Sequence, residues 1–209
     1  MAVVYILNAN NLKTDLSLYN NIDTKRLEKI KKSNNQLFIK EQLGSHLLLN
    51  DVLENTYFQD IENIEFYYNE SGKPYIKDSN LYFSLSHSNG IVALTVSKEE
   101  IGLDIEQIKD VKDNLARKVM NDLEYCTYQT FTKENKKIYF YEVWTSKEAY
   151  IKKFGTSLTL NPSNINIEED VILKKLYISN SEYMIALTNA LSITIDERYI
   201  PKELLERNK

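Results

Sequence analysis

The sequence predicts an α+β protein built of two related lobes. Segments of strand and helix character are mixed along the chain, with neither class dominant. Two ten-residue stretches, SHSNGIVALT (86–95) and SNSEYMIALT (179–188), align without a gap at an offset of 93, with five of ten positions identical. Each stretch follows a long helical segment, so the order of helix and then strands repeats with it. These observations divide the chain into an N-terminal lobe, 1–100, and a C-terminal lobe, 101–209, joined as one integrated unit. A cleft between two such lobes is a common place for a ligand.

The elements follow in order. Val3–Leu7 is a short apolar run with strand propensity. Residues 24–33 and 36–56 carry helical patterns, the second with Leu43, Leu47, Leu48 and Val52 on one face and Asn55 at its close. Ile64–Tyr68 predicts a strand and Glu70–Pro74 a turn. Leu81–Leu85 and Ile91–Val96 predict two strands joined through SHSNG, and Ile101–Ile105 a further strand. Residues 114–133 and 135–154 predict helices, and Asn161–Ser163 a turn. Val171–Ile178, Glu182–Thr188 and Ser192–Ile195 form a β-rich end, with a short helix over 201–207.

Composition narrows the class. Lys and Arg number 26 against 30 Asp and Glu, a net charge of −4, which gives no support to nucleic-acid binding. A local basic patch for phosphate is still compatible with that balance. With 43% hydrophobic residues the chain can bury a real core, and 5 Gly and 3 Pro exclude collagen-like and low-complexity classes. The single cysteine, Cys126, cannot form an internal disulfide, which points to a reducing compartment. One cysteine and two histidines, His46 and His87, argue against a zinc cluster. MAVVYILNANNLK lacks the basic start and long apolar run of a signal peptide, and no run approaches the roughly 18 apolar residues of a membrane span. The expectation is a soluble cytoplasmic protein without a membrane or nucleic-acid partner.

Several residues are candidates for chemistry. In GLDIE (102–106), strand alternation puts Asp104 and Glu106 on one face, with Leu103 and Ile105 on the other. Two carboxylates so spaced lie roughly 6–7 Å apart at Cα. Both can reach one hard cation such as Mg²⁺, or simply form a solvated strand face. In YFYEVWTSKEAYIKKFG (139–155), Phe140, Val143, Trp144, Ile151 and Phe154 form an apolar helical stripe. Lys147 falls inside that stripe, where a lysine either snorkels out or meets an anion. Glu148 and Lys152 are an i,i+4 pair whose ordinary role is a surface salt bridge. SGKPY (71–75) puts Lys73 at a turn tip. Ser86-His87-Ser88 offers either phosphate contacts or local turn hydrogen bonds. Glu124 follows Asn121 by three, the spacing of a helix-start capping pair.

The order of these blocks carries more than any one of them. GKP (72–74), SLSHS (84–88), GLDIE (102–106) and FYEVWTSKEAYIKK (140–153) together resemble the Sfp-type 4′-phosphopantetheinyl transferases. The last two blocks match that family's signature, G-x-D-I/V-E followed by W-x-x-K-E-A-x-x-K, and the resemblance extends over roughly residues 20–190. It implies a pseudo-twofold α+β fold with the site in the cleft between the lobes. It also implies transfer of the phosphopantetheine arm of coenzyme A to a serine of an apo acyl or peptidyl carrier protein, with Mg²⁺ required and adenosine 3′,5′-bisphosphate leaving.

By the same resemblance, Asp104 and Glu106 look like Mg²⁺ ligands. Glu148 looks like the third ligand, the base for the incoming serine, or both. Lys147 and Lys152 would reach the pyrophosphate, and Glu124 matches an acid of secondary catalytic importance. Lys73, Ser86 and His87 look like contacts to the nucleotide end, where Arg26 and Lys29 match further basic residues. The sequence departs from the family at Glu41-Gln42, where a basic residue and a hydroxyl are usual, with Lys40 adjacent as a substitute. It departs again at Gly155-Thr-Ser-Leu158, where Gly-x-Gly-Leu is usual. The smaller holo-carrier-synthase type is a trimer of single lobes; a chain with both lobes is expected to be a monomer. The rival readings are a non-catalytic binder of coenzyme A or carrier, and an unrelated Mg²⁺-dependent nucleotide hydrolase.

Overall fold

The computed structural model describes residues 1–155, 161–167 and 171–206. Two sheets stack on one another, each with helices on its other face. The first has the order β4-β5-β1-β9, from Tyr82–Ser88 (β4), Ile91–Ser97 (β5), Ala2–Asn8 (β1) and Ile193–Arg198 (β9). β5 is antiparallel to β4 and β1, while β9 runs parallel to β1. The second has the order β6-β8-β7, from Leu103–Gln107 (β6), Ser181–Thr188 (β8) and Val171–Ile178 (β7), with β8 antiparallel to both neighbours. A small hairpin, Phe66–Tyr68 (β2) with Pro74–Ile76 (β3), stands apart.

Burial explains why β1 and β5 read as unbroken apolar runs. Tyr5, Leu7, Val92 and Leu94 pack against Thr24–Lys32 (α1) and Gln36–Asn55 (α2), and Val4, Ile6, Ile91 and Ala93 pack against the second sheet. From the second sheet Leu103, Ile105, Tyr183, Ile185 and Leu187 meet them. A third core joins Asp113–Val119 (α3), Asp122–Thr130 (α4) and Lys133–Phe154 (α5) around Tyr128 and Phe140.

The expected elements appear with instructive shifts. The helix expected over 114–133 is two helices, broken at Met120-Asn121. Asn121 opens α4 with a full capping box, its side chain accepting from Glu124 N–H while Glu124 accepts from Asn121 N–H. The Glu70–Pro74 turn is followed by β3, a strand the sequence reading omitted. The expected 201–207 helix is only a 3₁₀ turn, Lys202–Leu204. Phe154 is the last residue of α5 and is 49% exposed, outside the core. α5 stops at Gly155, which takes the left-handed conformation at φ 56°. The departure at Thr156–Leu158 lies outside the described residues.

The ten-residue internal match does not superpose structurally. The two hairpin turns are Asn89-Gly90 and Ser179-Asn180, all four residues at positive φ. The hairpins therefore correspond at an offset of 90, three short of the sequence match. An odd slip exchanges the two faces of a strand. At an offset of 93, Val92 and Leu94, which face α2, fall on Ile185 and Leu187, which face the other sheet. Ser86-His87-Ser88 is strand, whereas Ser179-Asn180 is turn. What does recur is the strand order, β4-β5-β1 and β7-β8-β6, each with a helix behind it.

The boundary drawn at 100/101 falls between β5 and β6. The chain crosses back over it: β9 extends the first sheet, and Leu12 bridges to Leu205.

Candidate active site

The site is built where β6 lies under α5. Leu103 and Ile105 point into the core between the sheets, so alternation turns Asp104 and Glu106 toward the helix. On α5, Trp144, Glu148 and Lys152 are spaced four apart and share one face. Lys152 Nζ donates to Asp104 Oδ1 at 2.7 Å, and Trp144 Nε1 to Glu106 Oε1 at 3.5 Å. Close approach makes this possible. A Cβ on Gly102 would lie 1.9 Å from the carbonyl oxygen of Ala149 and 2.7 Å from Lys153 N, so only glycine lets the helix settle there.

β4 lies on the other side of β6 and is joined to it by serine hydroxyls. Ser84, Ser86 and Ser88 alternate on one face. Ser84 Oγ accepts from Leu103 N–H at 3.0 Å, and Ser88 Oγ accepts from Gln107 N–H at 3.0 Å. Ser88 Oγ also donates to Glu106 Oε2 at 2.8 Å. Ser86, expected at the nucleotide, is buried; its Oγ donates to Asp104 Oδ1 at 2.7 Å and accepts from Lys152 at 2.8 Å. The sequence signal for Ser84 and Ser88 was the S-x-S-x-S alternation itself.

The electrostatics are those of crowded carboxylates. Burial, and then Asp104, push the Glu106 carboxyl above its usual range, against the pull of Ser88, Trp144 and Lys152. Burial and Asp104 likewise push Glu148 up, with Lys152 opposing and Glu106 adding. Asp104 is 2% exposed, and its Oδ2 has no hydrogen-bond partner among the described residues. An orphaned buried carboxylate oxygen beside two further carboxylates fits a hard cation, which takes oxygen donors. The present spacing is looser: among the described residues no three His, Cys, Asp or Glu side chains are drawn together around one point.

Glu148 and Lys152 line a cavity of about 370 Å³ together with Lys29, Lys73 and Gly72. An adjoining cavity of about 160 Å³ shares Lys29, Gly72 and Phe83 and adds Lys25, Arg26, Gln42 and His87. The two share lining residues and form one groove, with Glu148 and Lys152 at one end and cations at the other. Lys29 is exposed on its wall. Arg26 is partly committed, its Nε to Asp23 Oδ2 at 3.0 Å and its Nη1 to the Gln42 carbonyl at 3.0 Å. Although burial pushes Asp23 up, hydrogen bonds from Arg26 and Tyr68 hold its carboxyl below the usual range. His87 Nδ1 sits 3.0 Å from Glu41 Oε2. Burial also pushes Glu41 up, but His87 and the Gly90 N–H keep it low. Glu41 thus anchors the β4–β5 turn and the imidazole, a role its sequence neighbours did not disclose. Lys40 cannot stand in for a missing cation, since its ammonium is held by the Asn10 carbonyl and Glu206, each at 2.9 Å.

Three expected residues are placed elsewhere. Lys73 borders the groove, but its ammonium is bound to Glu100 and to the carbonyl of Lys153 at the end of α5. It ties the β2–β3 hairpin to that helix. Lys147 does meet an anion, but the anion is Glu124 Oε2 at 2.6 Å, with the Val119 carbonyl at 3.0 Å. Lys147 is 0% exposed, so it does not reach the groove. Glu124 is occupied by that bond and by the cap of α4, and it is not among the residues that line the groove.

A groove with Glu148 and Lys152 at one end and cations at the other has the chemistry to hold a phosphate-bearing ligand. Residues 100–193 match the family model of the 4'-phosphopantetheinyl transferase superfamily. The chain is 31% identical over 121 residues to the 4'-phosphopantetheinyl transferase gsp of Aneurinibacillus migulanus, covering 58% of this chain and 51% of that one. It is 32% identical over 127 residues to the 4'-phosphopantetheinyl transferase Sfp of Bacillus subtilis, covering 59% and 57%. To the 4'-phosphopantetheinyl transferase AcpT of Salmonella typhi it is 39% identical over 98 residues, covering 44% and 50%. The chain spans about half the length of these relatives. The Sfp-type resemblance seen in the motifs is thereby borne out. Among the described residues no helix is long and apolar enough to cross a membrane.

Proposed function

We propose that this protein is a 4′-phosphopantetheinyl transferase. It moves the phosphopantetheine arm of coenzyme A to a serine of an apo acyl or peptidyl carrier protein, with Mg²⁺, releasing adenosine 3′,5′-bisphosphate. The observation that carries this reading is the meeting of Asp104 and Glu106 from β6 with Glu148 and Lys152 from α5 at a groove whose far end is cationic. In this reading the lobes 1–100 and 101–209 are related by a pseudo-twofold and the groove is the cleft between them. The protein acts as a cytoplasmic monomer.

The residues then divide the work. Asp104, Glu106 and Glu148 would hold Mg²⁺, which when bound offsets the charge that develops on the leaving phosphate. Glu148 lines the groove, where its carboxylate could also take the serine proton. The serine oxygen bonds to the phosphorus that carries the pantetheine arm, and the bond from that phosphorus to the bridging oxygen breaks. Lys152 meets the pyrophosphate, and Lys29, Arg26 and His87 meet the nucleotide end. Such chemistry depends mainly on positioning and charge.

The test is the intact mass of several apo carrier proteins after incubation with the protein, coenzyme A and Mg²⁺. The expected result is a gain of one phosphopantetheine arm that chelator abolishes. Glu148→Gln is expected to lose this turnover while binding coenzyme A within a few-fold of wild type. Coenzyme A binding with no gain on any carrier would favour a binding protein, and loss of coenzyme A without carrier would favour a hydrolase.

A further inference from the structure

Lys152 holds a position that the reaction alone does not explain. Its ammonium lies on Asp104 Oδ1 at 2.7 Å and on Ser86 Oγ at 2.8 Å, so it is turned into the carboxylate cluster. Asp104 Oδ2 has no hydrogen-bond partner among the described residues. Glu148 makes no hydrogen bond or ion pair among the described residues, and Glu106 is held only by Ser88 and Trp144. One ammonium therefore balances up to three carboxylates. The Lys152 side chain is 30% exposed and also borders the groove, so its head can leave Asp104 without opening the core.

We propose that Lys152 is the resident counter-ion of the Asp104–Glu106–Glu148 cluster, and that a divalent cation displaces it from Asp104 into the groove. The free oxygen of Asp104 is where a cation with oxygen preference would bind first. There it stands within a few ångströms of an ammonium on the same carboxylate, and repulsion in that half-buried setting is strong. The ammonium can move into the groove that Lys152 lines together with Lys29. On the transferase reading, this delivers Lys152 to the phosphates of the donor, so that the cation and coenzyme A favour each other's binding. Displacement itself does not depend on that reading.

The test is Mn²⁺ binding to the full chain, followed by the electron paramagnetic resonance of free Mn²⁺, for wild type and Lys152→Met. With no lysine to displace, Lys152→Met is expected to bind Mn²⁺ about tenfold more tightly. In wild type, the NMR signal of the Lys152 ammonium is expected to lose its ion-paired position as Mg²⁺ is added. Equal or weaker Mn²⁺ binding by Lys152→Met overturns the proposal, as does millimolar Mn²⁺ binding to neither protein. If Lys152→Met does not fold, Lys152→Gln and the wild-type Mg²⁺ titration carry the test. Tighter Mn²⁺ binding by the variant, with no carrier modified by wild type, supports displacement and counts against the transferase. Carrier modification with Mn²⁺ affinities alike in both proteins does the reverse.

Discussion

Two lysines five residues apart on α5 meet different anions. Lys152 faces β6 and the groove, whereas Lys147 faces α3 and α4 and is closed off from water. A fully buried ammonium is tolerable only with its partners in place. Lys147 has two, the Glu124 carboxylate and the Val119 carbonyl that ends α3. Lys147→Met should therefore lower stability in urea by about 2–3 kcal/mol, reduced from a fully buried pair because Glu124 keeps some solvent. Coenzyme A affinity should stay within about twofold, a shift of under half a kcal/mol. Full stability with lost affinity would show that Lys147 serves the donor. At this scale the sequence was informative where the pattern was local. Strand alternation placed Asp104 and Glu106 on one face, and a lysine in an apolar stripe had either to snorkel out or to meet an anion. It could not say which anion, because Glu124 lies 23 positions away on another helix. Lys73 and Glu41 were opaque for the same reason: their partners Glu100, Lys153 and His87 are set by tertiary packing.

Between elements, the two signature blocks are the two sides of one contact. Gly102 at the head of GLDIE lies against the backbone of Ala149 in the W-x-x-K-E-A-x-x-K block and of Lys153 just after it. The absence of a side chain at Gly102 sets the depth of α5 over β6, and that depth fixes how near Glu148 and Lys152 stand to Asp104. Gly102→Ala should push the helix outward. The expected cost is about 3 kcal/mol in urea unfolding, at the high end for overpacking because the obstacle is backbone. Mn²⁺ binding should weaken as well, since Glu148 moves with α5. Wild-type stability in Gly102→Ala would mean that α5 is not seated on this backbone. Local signals also explain the misread boundary. The Asn121/Glu124 capping box was visible, yet the apolar pattern ran on through it and suggested one helix over 114–133. A cap marks a start whatever precedes it, and here it outweighed the periodicity.

At the scale of the molecule, the two sheets share one core. Val4, Ile6, Ile91 and Ala93 of the first sheet are buried by Leu103, Ile105, Tyr183 and Ile185 of the second. The serines of β4 bind the backbone of β6, and β9 returns to pair with β1 along six residue pairs. The sequence showed the repeated element order but misplaced the repeat by three residues. Strand identity is carried by which face is buried, and a match of Ala-Leu-Thr does not record that face. The shared core has a thermodynamic consequence. Residues 101–209 made alone would expose the apolar face of β6 and β8 and lose the partner of β9, so neither lobe has a complete interior without the other. The full chain should unfold in one calorimetric transition, with calorimetric and van't Hoff enthalpies equal. The 101–209 fragment should show no such transition, and mixing it with residues 1–100 should restore one. Two resolved transitions in the full chain, or a cooperatively folded fragment, would mean that the lobes are separate domains and that the groove can open between them.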